Sequence, residues 1–313
     1  MKQIVHPAAA TPAVATIGFF DGVHRGHRYL IEQVCEAAAE RGLASAVVTF
    51  PIHPRRVMQS DFHPQLLTTC DEKVRLLERA GIDACIMMDF TPQLAALSAR
   101  QFMALLKEQY RIEALVIGYD HRFGHNRAEG FAEYAAYGRE LGMEVLPARA
   151  YYLNRSEGQG AGSDVSSSGI RRLLQAGDVK AAAQALGYRY FLQGRVVGGY
   201  RVGHRIGFPT ANLCVNNPDK LIPADGVYAV WADVDGHRYG GMLCIGTRPT
   251  LANGSDRSIE VHLFDFQADI YERPLTLSFV QRTRDEQKFA SVDLLVAQLH
   301  RDECEIRALL QRL

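Results

Sequence analysis

Two histidines, His24 and His27, flank Gly26 in the stretch Thr16-Ile-Gly-Phe-Phe-Asp-Gly-Val-His-Arg-Gly-His27. A ring N–H donates to a phosphate oxygen, and glycine lets the backbone approach a ligand closely, so both imidazoles can serve one phosphate group. A helix start with two exposed polar side chains is the plainer alternative. Thr210 and Asn212 alternate about Ala211, so an extended strand turns them to one side. A hydroxyl and an amide oxygen so placed can hold Mg²⁺, the rest of its octahedron filled by water and phosphate. Gly198, Gly199, Gly203 and Gly207 precede them and allow a backbone fold close to a polyphosphate. Glycine spacing alone would suit a hairpin loop equally well, and the Gly-Lys-Ser/Thr of a Walker loop is missing.

Two further segments carry polar chemistry. In Gly118-Tyr-Asp-His-Arg-Phe-Gly-His-Asn-Arg127, the arginines Arg122 and Arg127 suit bidentate phosphate binding. Asp120 can accept from ribose hydroxyls or an adenine amino group. Standing alone, this stretch reads as a polar surface loop. In Val165-Ser-Ser-Ser-Gly-Ile-Arg171, Ser166, Ser167 and Ser168 are first of all helix N-caps. They also leave hydroxyls, N–H groups and Arg171 at a positive helix end, suited to the β- and γ-phosphates of ATP.

These residues need elements to hold them. The histidine turn follows the apolar run Ala13–Ile17 and opens into the amphipathic segment His27–Arg41. Strand, glycine turn and helix is the context in which free backbone N–H groups meet an anion. Leu43–Phe50 is predicted as a buried strand stopped by Pro51 and Pro54, and Ala84–Met88, Ala114–Gly118 and Glu144–Leu146 as further strands. Asp71–Ala80, Ser98–Gln109 and Gly130–Leu141 have helical patterns between them. Such alternation predicts a parallel sheet wrapped by helices, with ligands beyond the strands' carboxyl ends. His24, His27, His53 and Asp120 all fall at such ends. Asn154–Gly169, rich in Gly and Ser, is predicted to be a mobile loop serving this first site. Ile170–Gln175 and Asp178–Leu186 close the domain at Gly187.

Beyond Gly187 the texture changes to strands at Tyr188–Val197, Val227–Val234, Tyr239–Ile245, Ile259–Phe266 and Leu275–Gln281. Asp235-Gly236 signals a hairpin. The next long helix is Val292–Leu313. A small antiparallel barrel with a terminal helix is predicted, and the domains are drawn as 1–186 and 187–313.

Composition sets the outer bounds. The chain has 313 residues, 47% hydrophobic, with Lys plus Arg equal to Asp plus Glu at 35 each. A neutral chain has no global field for nucleic acid or anionic membrane. No apolar run reaches the roughly 18 residues needed to span a bilayer, and no secretory leader is read at the start. Cysteines 35, 70, 85, 214, 244 and 304 include no close pair, so neither a zinc pattern nor a disulfide framework is expected. Free thiols in the cytoplasm are the expectation, and oligomeric state is left open.

Taken together, the motifs resemble those of the bacterial bifunctional riboflavin kinase/FAD synthetases. Gly18-Phe-Phe-Asp-Gly-Val-His-Arg-Gly-His27 is similar to that family's first signature, and Gly118–Arg127 to its Gly-x-Asp-x-x-Phe-Gly-x-x-Arg segment. Gly207-Phe-Pro-Thr-Ala-Asn212, Gly246-Thr-Arg-Pro-Thr250 and Glu260-Val-His-Leu-Phe-Asp265 resemble its kinase signatures. The resemblance implies a nucleotidyltransferase-type, Rossmann-like domain followed by a small β-barrel. It also implies phosphorylation of riboflavin to FMN in the second half and adenylylation of FMN in the first, with ATP and Mg²⁺. It assigns Glu260 as the kinase base. The ATP and phosphate site of the first half is implied to use Gly18, Phe19, Asp21, Gly22, His24, His27, Asp120, Arg122, Arg127, Ser166, Ser167, Ser168 and Arg171. Flavin there would meet Phe50, His53 and Phe123. ATP in the second half would meet Gly199, Gly203, Arg205, Gly207, Pro209 and Thr210, with Thr210 and Asn212 on Mg²⁺. The chain departs from the family pattern at Ile52, His121, Ser168, His204 and Cys244. Two rivals stand beside this reading: an enzyme with one decayed site, and a flavin- and nucleotide-binding regulator without turnover.

Overall fold

The computed structural model describes every residue except Val5, Tyr119, Asp120, Asn126, 153–164, Tyr200, Arg201 and 248–256. Asp120, the Arg-Pro-Thr of the Gly246–Thr250 motif and most of the Asn154–Gly169 segment therefore lie outside the described residues. The chain packs as two compact units, Met1–Ser167 and Ser168–Leu313.

The first unit runs β1 (Lys2–Ile4), β2 (Ala13–Ile17), α1 (Arg25–Arg41), β3 (Ala44–Thr49), α2 (Pro54–Met58), α3 (Cys70–Arg79), β4 (Ala84–Met87), α4 (Pro92–Ala95), α5 (Ala99–Tyr110), β5 (Ile112–Ile117), α6 (Phe131–Leu141) and β6 (Glu144–Pro147). Its six strands form one sheet in the order β1-β4-β3-β2-β5-β6, every pairing parallel. The alternation read in the sequence is this sheet. After β2 the chain winds one way to β3 and β4, then returns to β5 on the other side of β2. That reversal is the topological switch at which open α/β sheets bind ligands. The stretches after β2 and after β5, both singled out above, flank it.

Sequence signals account for most helix ends here. α1 ends at Gly42 in the left-handed region, and α3 begins with a capping box of Thr69 and Glu72. Pro54 sits at the first helical position of α2, where its missing N–H is no loss, so it starts a short helix as well as barring the strand.

The second unit holds α7 (Ser167–Gln175, its first residue on the boundary), α8 (Val179–Leu186), β7 (Phe191–Val197), α9 (Val202–Arg205), β8 (Ala211–Cys214), β9 (Gly226–Val234), β10 (His237–Thr247), β11 (Arg257–Leu263), β12 (Pro274–Arg284) and α10 (Val292–Leu310). Six strands close into a barrel in the order β10-β11-β8-β7-β12-β9, all antiparallel. Asp235 (φ 48°) and Gly236 (φ 81°) make the two-residue turn between β9 and β10, whose positive dihedrals match strand twist. The sequence texture changes after Leu186, and the compact units divide at Ser167. The Ala224 N–H donates to the Leu174 carbonyl, and at Gly177 a side chain would come within 2.6 Å of Arg282. α7 and α8 therefore pack with the barrel.

α10 covers part of the barrel's outer wall. Ile306 and Leu310 join Val227, Ala229, Met242 and Phe264 in one apolar cluster, with Trp231 at its margin. A charged pair fixes the helix: Arg284 donates twice from Nε (3.0 Å each) and once from Nη2 (2.7 Å) to Asp302, which also accepts from Gln298 at 2.7 Å. Asp302 is 2% exposed, so removing it leaves the half-buried Arg284 guanidinium without its carboxylate. Asp302→Ala is expected to destabilise this unit by about 3–5 kcal/mol. Urea unfolding followed by the fluorescence of Trp231, the single tryptophan, measures it.

Candidate functional site

The first site is built on the turn between β2 and α1. Phe20 (φ 54°), Gly22 (φ 84°) and Val23 (φ 37°) all occupy positive φ. Only Gly22 does so freely. A β-branched residue there is a strained one, of the kind found at ligand sites. The turn is held from behind by residues 66–73. Asp21 is buried, and its carboxylate accepts from the Leu67 N–H (3.1 Å), the Thr68 N–H (3.0 Å) and the Thr68 hydroxyl (3.2 Å). The Gly22 N–H donates to Thr68 Oγ1 at 3.0 Å. Asp21 thus braces the turn.

His24 caps α1, its Nδ1 accepting the His27 N–H at 3.3 Å. A neutral ring that accepts at Nδ1 carries its proton on Nε2 and offers an N–H there. The two imidazoles stack with centroids 3.6 Å apart and planes 17° from parallel. Burial, His24 and Lys73, in that order, hold the His27 pKa well below its ordinary 6.5. His27 Nδ1 is buried without a hydrogen-bond partner among the described residues. At Gly26 a side chain would reach to 3.4 Å from the Val165 carbonyl, and the Ser167 hydroxyl donates to the Asp21 carbonyl at 2.9 Å. The structure therefore brings Val165 and Ser167 to the histidine turn. Ser166 lies between them in sequence; Ser168 and Arg171 follow on α7.

The expected flavin contacts divide. His53 caps α2 and meets Phe19 edge-on at 4.7 Å. Phe50 and Phe123 are buried core residues, Phe50 against Phe90 and Phe123 stacked on Tyr134 at 4.1 Å. Arg122 and Arg127 are joined within their own segment, Arg127 Nε donating to the Arg122 carbonyl at 3.2 Å.

The second site lies on the outer wall of the barrel. β11 alternates, with Ile259, Val261 and Leu263 buried and Ser258, Glu260 and His262 half-buried on the other face. Register then sets the neighbours. Asn212 of β8 pairs with Glu260, Glu260 with Cys244 of β10, and Cys244 with Val227 of β9, so all four share one face. Thr210 Oγ1 lies 3.4 Å from Glu260 Oε2. His262 Nδ1 is 2.8 Å from the Pro209 carbonyl and must donate to it, which pins the segment carrying Thr210. Gly199 faces the Asn212 amide so closely that a Cβ would lie 3.1 Å from Asn212 Cγ. The Gly203 carbonyl accepts from the Phe208 N–H at 2.8 Å, and Gly207 (φ 84°) completes this bend. His204 and Arg205 are exposed on α9.

Two cavities open on these residues. One, of about 280 Å³, is lined by Thr210, Cys244, Glu260 and Glu286, with Leu295 and Leu299 of α10. The other, of about 360 Å³, is lined by Asn212, Gly198, Lys220 and Arg257. Gly246 is explained here: a side chain would overlap the Glu286 carboxylate, its Cβ only 2.5 Å from Glu286 Cδ. Burial first, then Glu286 and Glu260, push the Cys244 thiol up to about 11. Thr68, Lys73, His262 and Glu286 were not singled out in the sequence. Lys73 alone carried a signal, a lysine at helical spacing with Leu76, Leu77 and Ala80.

Residues 6–159 match the FAD synthetase family and residues 186–310 the riboflavin kinase family. The bifunctional riboflavin kinase/FMN adenylyltransferase of Escherichia coli (strain K12) is 37% identical, covering 98% of this chain and 97% of its own length. That of Listeria monocytogenes is 37% identical over 96% and 93%, and that of Bacillus subtilis (strain 168) 35% identical over 94% and 91%. A Streptococcus pneumoniae crystal structure covers 97% of this chain and 98% of its own, at 31% identity and a TM-score of 0.86. That structure bears the name macrolide-efflux protein. Among the described residues here, no helix is long and apolar enough to cross a membrane, and the likeness is one of fold. With both halves matched in order and full-length relatives above 30% identity, the chain belongs to the family of bifunctional riboflavin kinase/FMN adenylyltransferases.

Proposed function

We propose that the second unit phosphorylates riboflavin at its ribityl 5′-hydroxyl and that the first half adenylylates the resulting FMN to FAD, releasing pyrophosphate. The observation that carries this is the convergence of Glu260 with Thr210 and Asn212 on one barrel face. A hydroxyl nucleophile needs a base, and Glu260 is the carboxylate placed to take its proton. Gly199, Gly203, Arg205, Gly207, Pro209 and Thr210 shape the ATP side. The oxygen donors Thr210 and Asn212 fit Mg²⁺, and the side-chain-free Gly199 leaves the Asn212 amide its place. Bound there, Mg²⁺ would neutralise charge on the transferring phosphate.

In the first half the FMN phosphate is itself the nucleophile, so neither a protein base nor a covalent intermediate is called for. The residues' work is orientation and charge stabilisation. Gly18, Phe19 and Gly22 shape the turn. His27 donates as a neutral ring beside His24, and Ser166, Ser167, Ser168, Arg122, Arg127 and Arg171 supply the remaining donors, with Asp120 on the nucleoside. His53 stands on the flavin side. The departures at Ile52, His121, His204 and Cys244 leave this machinery in place, which favours two live sites over a decayed one or a regulator. The enzyme would work in the cytoplasm, where ATP is made and free thiols persist; all six cysteines are unpaired.

His27→Ala is expected to slow FMN-to-FAD conversion by about 10²–10³ while riboflavin phosphorylation continues. Its ring is neutral above a pKa well under 6.5, so the acid limb of wild-type FAD synthesis is expected below that value in a pH–rate profile. Glu260→Gln keeps size and much hydrogen bonding, and is expected to abolish FMN production while added FMN restores FAD synthesis. Chromatography of flavin products decides both; FMN formation by Glu260→Gln at the wild-type rate would remove Glu260 as the base. Asn212→Ala is expected to weaken kinase turnover in a way that excess Mg²⁺ partly restores. Turnover unaffected by the substitution and by Mg²⁺ concentration would count against metal ligation.

A further inference from the structure

Lys73 of α3 is 2% exposed, yet it carries an ammonium. Its Nζ donates to the Phe50 carbonyl at 2.7 Å, the Phe19 carbonyl at 3.1 Å and Thr49 Oγ1 at 3.2 Å, and it lies 4.2 Å over the Phe19 ring. An ammonium has three N–H donors, and three protein oxygens take them. None is left for a substrate phosphate, so Lys73 is not a phosphate-binding lysine. The carboxylate acting on it is that of Asp21, whose oxygens are engaged by Leu67 and Thr68. Burying a charge without a closely paired partner is unfavourable, and an apolar side chain of similar length would fill the same space.

What the charge joins explains its presence. Phe19 begins the histidine turn after β2, and Phe50 leads from β3 to His53. Thr49 Oγ1 also donates to the Phe19 carbonyl at 3.2 Å, closing the cluster. The capping box at the start of α3 gives the lysine a fixed base. We propose that Lys73 is a positioning residue for adenylyl transfer, its ammonium joining the carboxyl ends of β2 and β3 so that the phosphate turn and the flavin-side loop keep one geometry. The proposal rests on the FMN adenylylation reading of the first half.

The groups facing Lys73 are Asp21 from the turn, Cys70 on its own helix, Cys85 from β4 and His27 from α1. Burial brings Lys73 down to about 8 and raises Cys85 to about 11; Cys70 is raised above 9.0, and His27 has shed its proton well below 6.5. Lys73 is thus the group in this set whose charge changes near pH 8. As the neutral amine it has two donors for three oxygens, and the joint loosens. The effect on stability has the opposite sign. Between about 8 and 10.5 the unfolded lysine binds more protons than the folded one, so this group's contribution to stability rises with pH.

The test is steady-state kinetics of the full chain across this pH range, with both reactions followed chromatographically and urea midpoints measured alongside. Wild-type kcat for FMN adenylylation is expected to fall as pH rises through about 8, without a matching fall in stability and without the same limb in riboflavin phosphorylation. Lys73→Met is expected to lose about 10²-fold in that kcat, with a smaller change in KM for ATP, and to lack the limb. Its riboflavin phosphorylation should be normal. A wild-type enzyme that makes no FAD would remove the adenylylation reading itself. If the wild type makes FAD and folded Lys73→Met matches its kcat, the positioning role is overturned and the reading stands. Should the variant not fold, the wild-type profile decides, since a kcat flat from about pH 7 to 10.5 overturns the proposal.

Discussion

A phosphate turn must present its backbone to a ligand while holding dihedrals that its residues resist. Phe20 and Val23 sit at φ 54° and 37°, and each such position costs on the order of 1–3 kcal/mol. Within the turn, the Val23 N–H donates to the Phe20 carbonyl at 3.2 Å. Further stabilisation comes from residues 67–73, where Asp21 accepts three hydrogen bonds and Lys73 donates to Phe19. The parallel sheet supplies the place, since the chain reverses direction across β2, and the segment before α3 supplies the grip. The Asp21 carboxylate is the centre of that grip.

The barrel solves its problem by register. Strand alternation sends Ile259, Val261 and Leu263 to the core and leaves Glu260 and His262 outside. Pairing then puts Asn212 and Cys244 on either side of Glu260. A one-residue slip of β11 would bury Glu260 and expose Val261, so the pairing that forms the core also places Glu260. His262, two residues on, holds the Pro209 carbonyl and thereby Thr210. Core and site are specified by the same alternation.

Much of this was legible in the chain because it rests on local periodicity. The parallel sheet, the barrel, the Asp235-Gly236 turn and the terminal helix all follow from spacing two or spacing three to four. What escaped depends on partners distant in sequence. β1 and β8 are three and four residues long and are strands only because β4, β7 and β11 accept them. α7 and α8 have ordinary helical patterns, and only the contacts of Leu174 and Gly177 show which unit they join. Lys73 is the intermediate case, visible as a charge on an apolar helical face, though its acceptors come from two other strands.

The two sites treat phosphate differently, and the difference follows from the nucleophile. Where a hydroxyl attacks, a proton must leave, and the barrel holds a carboxylate beside two oxygen donors. Where a phosphate dianion attacks, no proton need leave, and a carboxylate would repel both reactants. The first site accordingly ties up its one turn carboxylate, Asp21, with backbone and hydroxyl donors and presents imidazoles instead. The neutrality of His27 has a cause in the same place: burial, the stacked neighbour and the Lys73 ammonium all disfavour a proton on it. A neutral ring donates to a developing oxyanion without first having to shed the water and counter-ions that a free cation would carry. The buried lysine then contributes positive potential from behind the turn without meeting the ligand.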